Sequence, residues 1–383
     1  MLIRPRKDWE VERRSYRKEP LMARVYVLYT GGTIGSIGSP LAPMPGCDFT
    51  QLVLSMRDLA NFQVAGYDGL RYAIDYLDTP LDSSDITPSD WIIIAQRLLS
   101  NYADYDGFVV LHGTDTMSWT ASALSFFFEG LSKPVILTGS QLPLAHPLTD
   151  ARRNLVASIV LAGTTGIPEV CLFSDTALLR GNRAVKADTH ELRAFVSPNF
   201  PPLAIVGSTT TLNTSLLLPP PPPVASLANP DRLSALQASL DALATAVLSF
   251  SVVEVALFPG IQSTTMLTAI LQGTQPPVKG IVLGAFGQGD APSSRAFLDT
   301  IAAANERGIT IVDSTQVIRG SVDLMTYQTG SGLGQAGAIS GYDLTPEAAL
   351  TKLIYLVGLG LDQHAVKAQM QTSLRGEMTI PPV

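Results

Sequence analysis

Short apolar runs recur along the chain, and each stops at glycine, hydroxyl or carboxylate residues. Residues 25–28 (VYVL) run into Thr30-Gly31-Gly32-Thr33-Ile34-Gly35-Ser36. Residues 69–75 form a second candidate, followed by LDSSDITPSDW. Residues 107–111 (GFVVL) run into His112-Gly113-Thr114-Asp115-Thr116, residues 134–137 run into TGSQLP, and residues 169–173 close the series. Runs this short and this apolar predict strands buried on both faces of a sheet. Helix signals lie between them. Thr87-Pro88-Ser89-Asp90 offers a hydroxyl N-cap, proline at the first helical position and a carboxylate at the third, ahead of WIIIAQRLLSNY. MSWTASALSFFFEGL and residues 149–162 predict two more helices.

This strand–loop–helix alternation predicts an α/β fold: a larger N-terminal domain with a mostly parallel sheet and helices on both faces, plus a smaller C-terminal α/β domain. The second unit is read from strands over 246–258, 280–283 and 309–312 and helices over 261–272 and 293–307. Thr345-Pro346-Glu347 then repeats the helix-start signal before AALTKLIYLVGLGL. Residues 1–21 read as a flexible basic arm, 22–215 as the N-terminal domain, 216–232 as a linker marked by five consecutive prolines (219–223), and 233–383 as the C-terminal domain. Residues 178–186 (LLRGNRAVK), taken by themselves, read as an exposed hairpin or loop.

Composition narrows the function classes. In 383 residues, 46% hydrophobic and 15% charged content describes a packed globular protein. Residues 1–21 hold seven basic and four acidic side chains, so the rest of the chain carries more negative charge than the overall −7. An acidic body argues against nucleic acid as the main partner. The two cysteines, Cys47 and Cys171, and the four histidines lack the spacing of a metal site, and no cofactor is expected. No signal-peptide core precedes the first strand and no apolar run spans a membrane, so a cytoplasmic enzyme is the default.

Three strand ends of the first domain carry polar chemistry: Thr33, Asp82-Ser83-Ser84, and Thr114-Asp115. In a parallel sheet such ends converge at a switch point. The glycines of TGGTIGS match neither the dinucleotide nor the P-loop spacing, which leaves a threonine-bearing turn that needs a partner elsewhere. A threonine hydroxyl is a weak nucleophile and needs a base or relay. A lysine can serve if burial and neighbours lower its pKa, and a second threonine with an adjacent aspartate could hold that lysine.

TGGTIGS, DSSDITPSDW, HGTDTMSWTASALSF, KPVILTGSQLPL and RGNRAVK, followed by FPGI, AFGQGDAP, TYQTG and LRGEMT, together resemble the type I (cytoplasmic-type) L-asparaginases. The resemblance covers roughly residues 23–382 in the same order. It implies hydrolysis of the side-chain amide of L-asparagine by a dimer or tetramer whose active sites lie at an intersubunit face, without metal or cofactor. Carried over motif by motif, it implies Thr33 as nucleophile. Lys186 and Thr114 would activate the nucleophile or water, and Asp115 would bind the substrate's α-amino group. Asp82 and Ser83 would hold the α-amino and α-carboxylate ends, with Ser84 nearby. Backbone N–H groups at the Thr33 and Thr114 turns would form the oxyanion hole. Alternatives carried with it are a broader asparaginase-glutaminase, an amidotransferase subunit and a non-catalytic amino-acid sensor; the arm 1–21 is too short for the extra domain of an amidotransferase subunit.

Several positions depart from the family pattern. A tyrosine that closes over the nucleophile in many relatives has Leu41 as its nearest match here, and Tyr327 of TYQTG could supply a phenol instead. Asp290 of GDAP stands where an asparagine is expected to reach a neighbouring subunit's substrate. Val185, Gly284 and Val317 replace three positions of an activating second asparagine site, which predicts weak or absent homotropic activation.

Overall fold

The first strand, Arg24–Gly31, has seven consecutive buried residues because both of its faces are covered. Val25, Val27 and Tyr29 join one apolar cluster and Tyr26 and Leu28 the opposite one. The computed structural model describes residues 23–60, 67, 69–261 and 265–380. The arm 1–21 lies outside the described residues.

Eight strands form the large sheet, in the spatial order 210–212, 204–206, 177–180, 170–174, 135–138, 107–111, 24–31, 71–81. Five of them, from Arg71–Leu81 across to Val170–Ser174, run parallel. Ala177–Arg180, Ala204–Val206 and Thr210–Leu212 continue antiparallel, so the sheet is mixed at that edge. The chain places Arg71–Leu81 on one side of the first strand and Gly107–Leu111 on the other. That reversal is the switch point where the strand ends leave a crevice. Helices Pro88–Ser100, Met117–Phe127 and Pro230–Ala246 cover one face, while Gly46–Ser55 and Ala151–Thr164 cover the other.

The expected helix starts are present. Thr87 and Asp90 form a capping box, and Thr345 accepts a bond from the Ala348 N–H at 3.1 Å. The stretch from Ala246 differs from the strand expected there. Residues Pro230–Ala246 are one helix, capped by Asn229, whose side chain accepts from the Asp231 N–H at 2.9 Å, and the strand begins at Ser251. An Asn-Pro-Asp start was the signal for it. The proline-rich run before this helix lies back on the first sheet unit. Leu218 N–H donates to Glu169 Oε1 at 2.6 Å and Leu227 N–H donates to the Gly130 carbonyl at 2.8 Å.

The C-terminal sheet orders 251–256, 278–285, 310–315, 339–340, all parallel. Helices Thr265–Gly273 and Arg295–Glu306 cover one face and Pro346–Gly358 and Gln363–Met370 the other. Helix Pro346–Gly358 also packs on Met117–Phe127 and so joins the two units. Among the described residues no helix is long and apolar enough to cross a membrane.

One buried group stands apart. Asp313, on the central strand Thr310–Thr315, is 0% exposed, and neither carboxyl oxygen has a hydrogen-bond partner among the described residues. Burial, with a smaller contribution from the charge of Asp290, pushes its pKa up to about 8. The folded protein therefore holds a proton there that the unfolded chain releases near pH 4. The stability this confers is complete below that value and is lost as pH rises towards 8. Asp313→Asn should remove this dependence and raise the thermal midpoint by a few degrees at pH 8 but less at pH 5. Thermal melts at both values check it.

Candidate active site

Three turns meet at the switch point, and glycine is what lets them meet. Gly31 and Gly32 leave the first strand at φ 119° and 81°, which a side chain would strain. A Cβ on Gly32 would sit 2.4 Å from the Gly113 backbone, and one on Gly113 would sit 2.5 Å from Ser83 Oγ. The turns that carry Thr33 and Thr114-Asp115 are thus pressed together backbone to backbone, and the Ser83 side chain packs directly against the Gly113 backbone. Hydrogen bonds lock them: Gly32 N–H to Leu81 O at 3.1 Å, Thr30 Oγ1 to Leu111 O at 2.9 Å, and Thr116 Oγ1 to Ser83 O at 2.6 Å. Thr33 opens a single 3-10 turn and is half-buried; its hydroxyl makes no hydrogen bond among the described residues.

Lys186 reaches this edge from the short strand Val185–Lys186, paired with Phe195–Val196. Its Nζ donates to Thr114 Oγ1 at 2.9 Å and to Asp115 Oδ1 at 2.6 Å. Thr114 in turn donates to Gln141 Oε1 at 3.3 Å. Lys186 is largely covered while the Asp115 side chain is 64% exposed, so the carboxylate keeps a face open to the crevice. Asp82 Oδ1 accepts from both the N–H and the hydroxyl of Ser84, at 3.0 and 2.8 Å, and Ser84 and Asp82 are both exposed; Ser83 is buried beneath them.

Gln141 is the polar group that the motif reading passed over. It stands at the end of the fourth parallel strand, within TGSQLP, where the same strand-end logic applied. Its backbone N–H is held by the Asp150 carboxylate at 3.0 Å, and its Nε2 donates to Glu191 O at 3.3 Å. His112 plays a structural part. It is fully buried, its Nδ1 contacts Gly113 O at 2.7 Å and its Nε2 contacts Thr120 Oγ1 at 2.8 Å. Burial lowers its pKa to about 4, so it stays neutral near pH 7.

LLRGNRAVK is not the exposed loop that its basic composition predicts by itself. Arg180, Asn182 and Arg183 are 4%, 1% and 2% exposed, because each finds partners distant in sequence. Leu41, by contrast, is 54% exposed on the turn of the hairpin Ser36–Ile37/Ala42–Pro43. Tyr29 lies beneath that hairpin, stacked on Phe49 at 4.1 Å, and burial pushes its phenol pKa far up. Tyr327 and Asp290 belong to the C-terminal unit. Tyr327 is 54% exposed ahead of the helix Gln328–Gln335, and Asp290 accepts from Thr329 Oγ1 at 2.5 Å. Among the described residues no hydrogen bond joins either of them to Thr33, Thr114 or Lys186.

A hydrogen-bonded lysine–threonine–aspartate cluster lies beside the Thr33 turn at the edge of a doubly covered α/β sheet, an arrangement of the hydrolase type; among the described residues no cluster of metal ligands is present. The family model for asparaginase, N-terminal, matches residues 24–217, and that for the glutaminase/asparaginase C-terminal domain matches residues 251–370. The chain belongs to the asparaginase family. It is 39% identical to L-asparaginase 1 of Escherichia coli over 362 residues, covering 93% of this chain and 98% of that protein. It is 38% identical to the 60 kDa lysophospholipase of Mus musculus, covering 94% of this chain and 63% of that one. The crystal structure of L-asparaginase I from Vibrio cholerae superposes with a TM-score of 0.77 at 40% identity, covering 93% of this chain and 99% of that one.

The backbone contact at Gly32 is testable apart from chemistry. Gly32→Ala should destabilise the fold by roughly 2–4 kcal/mol, since it adds both a positive-φ strain and a clash. Gly38→Ala has a similar φ of 87° but meets nothing nearer than Pro40 O at 3.3 Å, and should cost clearly less. Urea unfolding of the two variants gives the comparison.

Proposed function

We propose that this chain hydrolyses the side-chain amide of L-asparagine to L-aspartate and ammonia, with Thr33 as nucleophile. The observation that carries this reading is the Lys186–Thr114–Asp115 cluster at 2.9 and 2.6 Å, on the turn that packs against Gly32 and so against the Thr33 turn. Family membership over both units supports it.

In this mechanism the Thr33 hydroxyl attacks the carboxamide carbon, and its proton leaves by way of the Lys186–Thr114 pair. Backbone N–H groups of the Thr33 and Thr114 turns face the oxyanion of the tetrahedral intermediate. The C–N bond breaks as the nitrogen takes up a proton, ammonia leaves, and an aspartyl ester of Thr33 remains. Water, activated by the same pair, hydrolyses the ester and returns the proton to Thr33. Asp115 and Asp82 supply carboxylates for the substrate's α-ammonium group, and the Ser83–Ser84 turn faces its α-carboxylate. No cofactor is needed for any of these steps.

The reading includes a homodimer or homotetramer acting in the cytoplasm. Asp290 then serves a neighbouring copy's site and Tyr327 supplies a phenol, which is compatible with neither being hydrogen-bonded to Thr33, Thr114 or Lys186 among the described residues. Asp290 carries a charge that disfavours an anionic α-carboxylate beside it.

Ammonia release from L-asparagine and L-glutamine tests the proposal. The native chain should favour L-asparagine, and Thr33→Ala should lower kcat by at least about a thousandfold with little change in stability. Full activity in Thr33→Ala, or none in the native chain, contradicts it. Val185, Gly284 and Val317 support the further expectation of hyperbolic velocity curves; a sigmoidal dependence on L-asparagine would show that an activating site has survived.

A further inference from the structure

The turn Gly181–Arg183 precedes Lys186 by three residues, and its Asn182 and Arg183 side chains bond towards the C-terminal end of the chain. Arg183 donates from Nε to Gly376 O at 2.8 Å, from Nη1 to Asp343 Oδ2 at 2.8 Å and from Nη2 to Thr379 Oγ1 at 3.2 Å. Asn182 Nδ2 donates to Arg375 O at 3.1 Å. Arg180 adds a bidentate pair to Glu169 at 2.6 and 3.2 Å and a bond to Gly376 O at 3.2 Å.

The strap that receives these bonds is itself fixed. Glu377 accepts from the backbone N–H groups of Leu374 and Arg375 at 2.9 and 2.6 Å, and from Lys352 Nζ at 2.5 Å; Glu377 and Lys352 are both 0% exposed. Asp343 Oδ1 accepts from the Thr379 N–H at 2.6 Å while Oδ2 takes Arg183, so one carboxylate ties the strap to the turn. On its other side the turn has no slack. A Cβ on Gly181 would lie 2.9 Å from Val170 O and 3.1 Å from the Ala121 side chain. Ala121 belongs to the helix that begins directly after Thr114-Asp115-Thr116.

Apart from this turn, Lys186 is held by a short hairpin, extended by bonds from the Ala187 and Asp188 N–H groups to Ala194 O at 2.7 and 3.2 Å and backed by buried Ala184, Ala194 and Phe195. Its own ladder consists of two residue pairs, Lys186–Phe195 and Val185–Val196. So short a hairpin is marginal by itself. An apolar side chain could fill the Arg183 site with as much stability, because a buried ion pair roughly balances its desolvation. A planar guanidinium with three fixed partners supplies direction instead.

We infer that Arg183 is a positioning residue for Lys186: held by Asp343, Gly376 and Thr379, it sets the turn from which Lys186 reaches Thr114 and Asp115, and so makes residues 374–379 part of the active-site frame. The inference rests on the catalytic role proposed for Lys186, and the experiment separates the two. Native chain, Arg183→Lys, Lys186→Met and the double variant are compared for kcat, KM for L-asparagine and thermal midpoint. Arg183→Lys keeps the positive charge but not the fork. It should lower kcat roughly 10- to 100-fold with KM within about threefold, and with a thermal midpoint close to native. In the Lys186→Met background the same change should cost little more, as two residues acting through one step do not add. Native kcat in Arg183→Lys, while Lys186→Met is impaired, overturns the inference alone, as does an undiminished loss in the Lys186→Met background. Native activity in Lys186→Met removes the catalytic reading of Lys186 and the inference with it. If Arg183→Lys does not fold, Asp343→Asn, which keeps the shape and removes the anchoring charge, should give the same fall in kcat at constant KM; native kcat there overturns the inference.

Discussion

The active edge of this molecule depends on glycines that leave no room for a Cβ. Gly32 lies on the backbone of Gly113, and Gly113 lies under the Ser83 side chain, at separations that leave no space for a side chain at either glycine. Three strand ends from the switch point of the sheet can therefore share one small volume. The hydroxyls and carboxylates that follow each glycine are brought together as a consequence. Side-chain bonds such as Thr30 to Leu111 O and Thr116 to Ser83 O then fix the turns relative to one another. Rigid placement of this kind suits the nucleophilic role proposed for Thr33, because positioning replaces the intrinsic reactivity that a hydroxyl lacks.

A second frame meets the first at Lys186. Buried charged side chains hold the Gly181–Arg183 turn against the C-terminal strap, and the same turn abuts the helix that starts after Asp115. The C-terminal unit is thus tied through structure to the turn that precedes Lys186. Its own sheet carries a different feature, the uncharged Asp313, which lowers stability as pH rises without touching the reacting groups.

Much of this was legible in the sequence, for identifiable reasons. TGGTIGS and HGTDT announce themselves because buried parallel strands must end in residues able to turn sharply, and the residue types after the turn are those of a site. The helix starts at Thr87-Pro88 and Thr345-Pro346 are local signals and were readable locally. Other features were not local. LLRGNRAVK reads as a solvated basic loop until Asp343, Gly376 and Thr379 close on it from far along the chain. The helix Pro230–Ala246 was hidden behind five prolines and a weak amphipathic pattern, although its Asn229-Pro230 start was present. The antiparallel edge of the large sheet consists of strands of three or four residues, too short to show a period. Gln141 was missed because an amide at a strand end carries no motif of its own.

The most direct test of the account is to identify the covalent intermediate. The enzyme is quenched in acid during turnover of L-asparagine, digested, and its peptides are mapped by mass spectrometry. The account predicts an added aspartyl group on the peptide that contains Thr33. An aspartyl group on the peptide carrying Thr114, or on any other residue, would contradict it.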